Sequence, residues 1–118
     1  MPAHLAGDHT DIQEIIHPKN DGVDLPYSLA MASLGAGKSS LPHRLVGSIE
    51  IYFIVEGTGE MHLDEQVFEV GPGSTVFIPA NALQWIANTG DAPLRFLCIV
   101  SPPWRADEEV IVHLPKHP

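Results

Sequence analysis

The chain has 118 residues, of which 44% are hydrophobic and 18% charged, with 10 glycines and 11 prolines. This length suits one domain with a buried core, and the composition excludes a disordered chain and favours short strands over long helices. Because 15 acidic residues outnumber 6 basic ones and give a formal charge of −9, we expect no nucleic-acid or membrane partner.

The N-terminal residues and the cysteine content bear on the compartment. Residues 1–8 have neither the basic nor the apolar region of a signal peptide, and no apolar run is as long as a membrane span. The single cysteine, Cys98, lies in an apolar run, and we interpret it as a core residue rather than a reactive thiol. One cysteine excludes an internal disulfide, so we expect a cytoplasmic protein.

In chain order, short apolar runs alternate with turn residues. Residues 1–10 are predicted to be a loose lead-in, 11–17 a short strand, and 27–34 a strand or a short helix. The run 49–55 is β-branched and aromatic, and further strands are predicted at 60–63, 66–70, 74–78, 83–87, 94–100 and 109–114, before a tail at 115–118. The pattern predicts one all-β domain over residues 1–118, a small antiparallel β-barrel or double-sheet jelly roll.

The Gly-Lys-Ser sequence at residues 37–39 matches the end of a phosphate-binding P-loop. That motif needs a glycine where this chain has Ala32, and a helix must follow it. Pro42 and strand-like sequence follow instead, so we interpret the segment as an ordinary loop.

Glu50 is the first indication of a functional site. Alternation along a strand places Glu50, Tyr52 and Ile54 on one face of the run 49–55. A carboxylate on such an apolar face is costly to bury unless it is paired, protonated or bound to a cation. The opposite face, with Phe53 and Val55, is also apolar, so we expect the strand to be covered on both sides and predict a homodimer through that sheet.

The spacing around Glu50 resembles the first motif of the cupin superfamily. That motif reads Gly, five residues, His, one residue, His, three or four residues, Glu, six residues, Gly. Here Gly37, His43, Glu50 and Gly57 match in spacing, while Leu45 stands where the second histidine belongs.

A second cupin motif follows at the expected distance. It reads Gly, five residues, Pro, one residue, Gly, two residues, His, three residues, Asn. The chain has Gly73, Pro79 and Asn88 in place, but Asn81 replaces the second glycine and Gln84 replaces the histidine. The two motifs together span residues 37–88.

The resemblance implies a metal site and a small-molecule cavity inside the barrel. The metal ligands carried over from the motifs are His43, Glu50 and Gln84, and the divalent ion would be Mn, Fe, Zn or Ni. Glu50 would serve as a ligand or as the catalytic proton-transfer group. The cavity wall is predicted to include Tyr52, Ile54, Ile86 and Phe96.

The resemblance leaves two functions open. The first is a metal-dependent enzyme acting on a small organic substrate as an isomerase, decarboxylase or lyase, ahead of oxygen chemistry because two motif histidines are replaced. The alternative is a non-catalytic ligand-binding or sensory cupin without a metal.

Several side chains have simpler interpretations. Glu50 can pair with Arg44, and Gln84 can hydrogen-bond inside the barrel. Either orientation of His62 is compatible with the sequence, although the surface is favoured. Trp104 is interpreted as a cap or a subunit contact, and His4, His9, His17, His113 and His117 as solvent-exposed.

Overall fold

The computed structural model describes residues 4–5 and 7–114, with the side chains described from residue 7 onward. Within this part, eleven strands are joined by loops, one short α-helix and one 3₁₀ turn. The strands are β1 His4–Leu5, β2 Asp11–Ile16, β3 Ser28–Leu34, β4 His43–Leu45, β5 Ile49–Glu56, β6 Gly59–Leu63, β7 Gln66–Val70, β8 Thr75–Ile78, β9 Gln84–Asn88, β10 Leu94–Ser101 and β11 Glu109–Ile111. The helix α1 is Pro18–Asp21, and the 3₁₀ turn is Ala106–Glu108.

The strands form two antiparallel sheets that face each other. The six-stranded sheet has the order β1-β2-β3-β10-β5-β8, and the five-stranded sheet has the order β11-β4-β9-β6-β7. Sequence neighbours often lie in different sheets, as in a jelly roll, and the observed pairings do not close the sheets into one barrel. The all-β prediction is therefore confirmed.

Two turn residues show why the chain bends where it does. Gly57 has φ +86°, and a Cβ added there would lie 2.5 Å from the Pro93 carbonyl oxygen, so only glycine fits. Asn81, which replaces a motif glycine, has φ 70°. Asparagine tolerates this left-handed conformation better than most residues, so the turn survives the substitution.

The core lies between the sheets and is built by strict alternation. In β10, every second residue from Leu94 to Val100 points inward and is buried. In β5, Glu50, Tyr52 and Ile54 point inward. The other face of β5 is less covered than expected, because Phe53 is 41% and Val55 39% exposed.

The N-terminal segment differs from the expected loose lead-in. Strand β1 pairs with β2, and the side chains of Asp8 and Thr10 are buried. The Leu41 amide donates to the Asp8 carbonyl oxygen at 2.7 Å, which fixes this segment against the body of the domain. The predicted tail at 115–118 lies outside the described residues. No helix in the described part of the chain is long and apolar enough to cross a membrane.

Candidate metal centre and cavity

His43 is the buried histidine from which the site is built. It lies in β4, points inward and is 2% exposed. Its Nδ1 is 2.8 Å from the Leu41 carbonyl oxygen. Because a carbonyl can only accept, Nδ1 carries a proton, and Nε2 of the neutral ring is left with a free lone pair. A hydrogen bond from the other ring nitrogen to a backbone carbonyl is a usual way in which a protein orients a metal-binding imidazole.

Asp8 faces this imidazole from the N-terminal segment. Its Oδ1 accepts hydrogen bonds from the Thr10 hydroxyl at 2.7 Å and the Thr10 amide at 3.2 Å. The other oxygen, Oδ2, lies 3.7 Å from His43 Nε2. With the lone pair of neutral His43 directed toward a carboxylate oxygen, the contact is favourable only if a proton or a metal cation lies between the two atoms.

Glu109 completes the group from the other end of the chain. Strand β11 pairs with β4, and Glu109 lies directly opposite Leu45. Directly opposite residues of paired strands share a face, so this carboxylate occupies the neighbourhood of the histidine that the motif lacks. One ligand atom each from Asp8, His43 and Glu109 lies within 4.8 Å of the others. Burial raises the pKa of Glu109, the negative Asp8 adds to the rise, and His43 opposes it.

Glu50 lies close to this group, and none of the ion pairs among the described side chains includes it. Burial raises the pKa of Glu50 to about 8, and the charges of Asp8 and Glu109 add to the rise. The Gln84 amide lowers this pKa, yet Glu50 Oε1 and Gln84 Nε2 both lack a hydrogen-bond partner among the described residues. Their interaction is therefore electrostatic rather than a well-aligned hydrogen bond. The expected alternative partner, Arg44, instead donates to the Asn81 carbonyl oxygen.

Gln84 is a close neighbour of Glu50. It is directly opposite His43 in the sheet and fully buried. Its Oε1, the atom that would bind a metal, accepts a hydrogen bond from the Tyr52 hydroxyl at 2.8 Å. Burial raises the pKa of Tyr52 well above its usual value, with Glu50 adding to the rise, so this hydroxyl stays a donor. Gln84 thus lies beside His43 in the sheet with its oxygen already bonded to Tyr52, and it is not among the residues that line the adjoining cavity.

A cavity of about 120 Å³ adjoins these groups. The predicted wall residues divide between two places. Tyr52 and Phe96 line the cavity and contact each other with ring centroids 4.6 Å apart, whereas Ile54 and Ile86 lie deeper, in the closed hydrophobic core. Glu14, His17 and Trp104 line both the cavity and a surface groove, so the cavity opens between them.

His62, His17 and Cys98 were also assigned positions from the sequence. His62 points outward, stacks on Trp85 with ring centroids 3.5 Å apart and contacts Glu60 Oε1 at 2.7 Å. His17, expected to be exposed, is half-buried and donates from Nε2 to the Trp104 carbonyl oxygen at 2.8 Å. Cys98 is buried in the cavity wall, where burial and the nearby Glu50 raise its pKa, in agreement with an unreactive thiol.

Comparison with known proteins identifies the family. The model of the cupin domain matches residues 30–100. The chain belongs to the cupin family. A relative of uncharacterized function from Methanocaldococcus jannaschii is 38% identical over 109 residues, which cover 92% of this chain and 86% of that protein. A mannose-1-phosphate guanylyltransferase from Salmonella muenchen is 31% identical over 68 residues, 58% of this chain and 14% of that enzyme.

Solved structures share this cupin fold at low sequence identity. An oxalate decarboxylase from Lactobacillus farciminis, solved as a formate complex, superposes with a TM-score of 0.82 at 22% identity and covers 95% of this chain and 33% of its own. A predicted oxalate decarboxylase from Thermotoga maritima has a TM-score of 0.71 at 24% identity and covers 78% of this chain and 79% of its own. At these identities the likeness concerns the fold.

The family match also shows what the motifs do not contain. Asp8 and Glu109 lie outside the matched residues 30–100, in segments that flank the common cupin core. Neither residue was a candidate ligand from the sequence, since neither belongs to a motif. The one available signal was Glu109 itself, a carboxylate at the start of a predicted edge strand.

Proposed function

We propose that this cupin is a metal-dependent enzyme that binds one divalent cation between Asp8, His43 and Glu109 and performs proton transfer on a small organic molecule in the adjoining cavity. The observation that carries the proposal is the convergence of these three ligand atoms within 4.8 Å of one another. The contacts of His43 with Leu41 and of Asp8 with Thr10 support it, because they engage Nδ1 and Oδ1 and leave Nε2 and Oδ2, which lie 3.7 Å apart, available for a metal.

The donor set fits such an ion. One imidazole and two carboxylates suit a first-row divalent metal, and among Mn, Fe, Zn and Ni the oxygen-rich set favours Mn. Three protein ligands leave coordination positions for a substrate, the usual arrangement of a catalytic centre. The bound ion would supply Lewis acidity toward a carbonyl, enol or carboxylate oxygen. The set differs from the two-histidine, one-carboxylate group of non-haem iron oxygenases. This difference favours isomerase, decarboxylase or lyase chemistry over oxygen chemistry.

Glu50 is the residue proposed to transfer the proton. It lines the cavity, is 6% exposed and has a buried oxygen without a partner. In the metal-free protein its pKa is raised to about 8, mainly by burial, which a bound metal leaves in place. Burial thus favours the protonated form, which can donate a proton to a carbanion or enolate formed beside it. Tyr52 donates a hydrogen bond to Gln84, and the Gln84 side chain neighbours Glu50. Glu50 and Gln84 remain predicted metal ligands, but their geometry supports this less well than that of Asp8 and Glu109.

Metal analysis tests the proposal directly. Untagged protein, purified without added metal and then dialysed with Mn, Fe, Zn or Ni, should retain close to one ion per chain. A site that stays empty after all four additions contradicts the proposal.

A second function has one specific observation in its favour. If His43 is protonated, its Nε2 at 3.7 Å from Asp8 Oδ2 forms an ion pair that needs no metal. The protein would then be a non-catalytic cupin that binds or senses a small ligand. NMR signals of a charged His43 at neutral pH, unchanged by added metal, would favour this function.

The apolar outer face of the six-stranded sheet supports the proposed homodimer. Leu97 lies opposite both Met31 and Phe53, and Ile51 lies opposite Phe77, so the apolar side chains are contiguous across four strands. Phe77 alone is 57% exposed. A second copy would cover this face. Sedimentation should therefore give a dimer for the wild type and a monomer for Phe53→Asp, and a wild-type monomer at micromolar concentration would contradict the proposal.

A further inference from the structure

The charged side chains that line the cavity are predominantly acidic. Four carboxylates line it, from Asp8, Glu14, Glu50 and Glu109, together with His17 and His43, and no lysine or arginine occurs among these described lining residues. The five lysines and arginines of the described chain are held elsewhere: Lys19 and Lys38 are exposed, Arg44 donates to Asn81, Arg95 pairs with Glu56, and Arg105 pairs with Asp107.

The two imidazoles do not reverse this charge. His17 Nδ1 accepts a hydrogen bond from the Lys19 amide at 3.1 Å, and its Nε2 donates to Trp104, so the ring is neutral in this geometry. His43 has only Nε2 to offer to a metal, and it binds a metal as a neutral ring.

A divalent ion does not reverse the charge either. Its two positive charges offset the carboxylates of Asp8 and Glu109, which hold it. Glu14 remains, and Glu50 adds either zero or one negative charge according to its protonation state. The loaded cavity therefore has no net positive charge, and a buried anion placed there would lack a counter-ion.

The rest of the wall is apolar and the space is small. Aliphatic and aromatic side chains surround the polar group, among them Ile12, Leu29, Ala32, Phe96 and Val100. A cavity of about 120 Å³ is close in size to an engineered apolar cavity of about 150 Å³ that binds benzene, so it suits a molecule of about six non-hydrogen atoms.

We infer that this site selects an uncharged small molecule, one with oxygen atoms for the metal and an apolar body for the wall, and disfavours dicarboxylates. The inference rests on the proposed metal site. It separates this protein from the oxalate decarboxylases among its structural neighbours, since oxalate would bring two negative charges to a metal already offset by Asp8 and Glu109, in a wall whose described residues include no lysine or arginine.

Three probes of matched size test the charge preference. Butane-2,3-dione, pyruvate and oxalate share a planar 1,2-dicarbonyl unit and the same number of non-hydrogen atoms, and they carry no, one and two negative charges. Each is titrated into untagged wild-type protein loaded with Co²⁺, whose visible spectrum reports a ligand at the metal. Cobalt retained after desalting is measured in parallel, so that removal of metal by oxalate is not mistaken for binding.

The outcomes separate the two proposals. Because carboxylates bind free Co²⁺ more tightly than a neutral dione does, each dissociation constant is divided by that of the same probe for aqueous Co²⁺, and we expect this normalised constant to rise at least about tenfold with each added negative charge. If cobalt is retained and the normalised constant of oxalate or pyruvate is no higher than that of the dione, the inference is overturned and the metal site stands. Retained cobalt with no response to the dione has the same meaning. Failure to retain cobalt overturns the metal site and the inference with it.

Glu14→Gln provides an independent measurement that leaves the proposed metal ligands in place. Glu14 lies at the mouth, where both its oxygens accept from the Asn20 amide, and glutamine keeps an acceptor oxygen there. Removing its charge should narrow the ratio between the oxalate and dione constants by at least about threefold. Glu69→Gln, an exposed site in the other sheet, should leave the ratio unchanged. An unchanged ratio in Glu14→Gln contradicts the electrostatic origin of the selectivity.

Discussion

The space between the two sheets has two unlike ends. At the closed end, Ile54, Met61, Ile86 and Leu94 are fully buried and belong to one hydrophobic cluster. At the open end, four carboxylates and two imidazoles surround a cavity. One strand can contribute to both ends: β5 contributes Ile54 to the closed end and Glu50 to the open end.

The comparison shows how sharply the environment changes along one strand. Inward residues of β5 follow each other at two-residue steps of about 7 Å, from Ile54 through Tyr52 to Glu50. The Gly57 turn fixes the closed end, where the chain passes close to Pro93. The open end depends instead on Asp8 and Glu109, which come from the two flanking segments. The common cupin core therefore supplies the closed end, and in the proposed metal site the flanking segments would supply two of the three ligands at the open end.

The largest effect on stability is expected from a truncation at the closed end. Ile86→Ala should lower the free energy of unfolding by about 2–5 kcal/mol, because it leaves a void in a fully packed region. Val67→Ala, at a position 56% exposed, should change it by less than about 1 kcal/mol. Urea denaturation of metal-free protein measures both. Similar losses in the two variants would contradict the rigid packing of the closed end.

At the open end, pH should act through Glu50. Its pKa is about 8 in the folded protein and near its ordinary 4.5 when unfolded. The folded state therefore holds more protons between these values, and the stability of metal-free protein should fall by a few kcal/mol as pH rises from 4.5 to 8. The raised pKa of Glu109 acts in the same direction.

Glu50→Gln isolates the contribution of Glu50. The variant should be more stable than the wild type at pH 8 and should flatten the pH dependence of the denaturation midpoint in the presence of a chelator. The exposed Glu65→Gln should keep the wild-type profile. A wild-type slope in Glu50→Gln would show that Glu50 does not titrate in this range.

Metal affinity should depend on both flanking carboxylates. Asp8→Asn and Glu109→Gln should each weaken binding by at least about 100-fold, more than the loss of an outer hydrogen bond causes in other metal sites. Calorimetric titration with Mn²⁺ measures the loss, and Asp91→Asn, an exposed loop position, is the control. Equal affinities in all three variants would place the metal elsewhere.

The smallest effect on metal affinity is expected at Thr10, which hydrogen-bonds the proposed ligand Asp8. Thr10→Val removes the hydroxyl that donates to Asp8 Oδ1 at 2.7 Å but keeps the backbone donor and the side-chain volume. Metal affinity should fall by about tenfold, while Thr75→Val, on the exposed outer face of β8, should leave it unchanged. Wild-type affinity in Thr10→Val would show that the backbone amide alone holds Asp8.

The sequence predicts the closed end much better than the open end. Alternation and turn residues indicate nearly every strand, because burial of a strand face imposes a local pattern of period two. The short strands β1 and β4 carry too few residues for such a pattern. His43 and Glu50 are found by motif spacing and do point inward.

Asp8 and Glu109 could not be predicted, because their convergence depends on pairing between distant segments. Glu109 reaches the site through the register of β11 on β4, and Asp8 through the hydrogen bond from Leu41 to its carbonyl oxygen. Neither contact leaves a local pattern. The depth of Ile54 and Ile86 relative to Tyr52 and Phe96 likewise depends on where the core is filled.

The placement of Asp8 before β2 and of Glu109 in β11 has a consequence for local unfolding. Opening of either flanking segment would remove a proposed ligand, so bound metal should suppress the opening of both. Hydrogen exchange is therefore expected to slow at the amides of Thr10 and Val110 together when Zn²⁺ is added, while amides in β6 keep their rates. Two stretches of chain that share no strand pairing would then open as one cooperative unit.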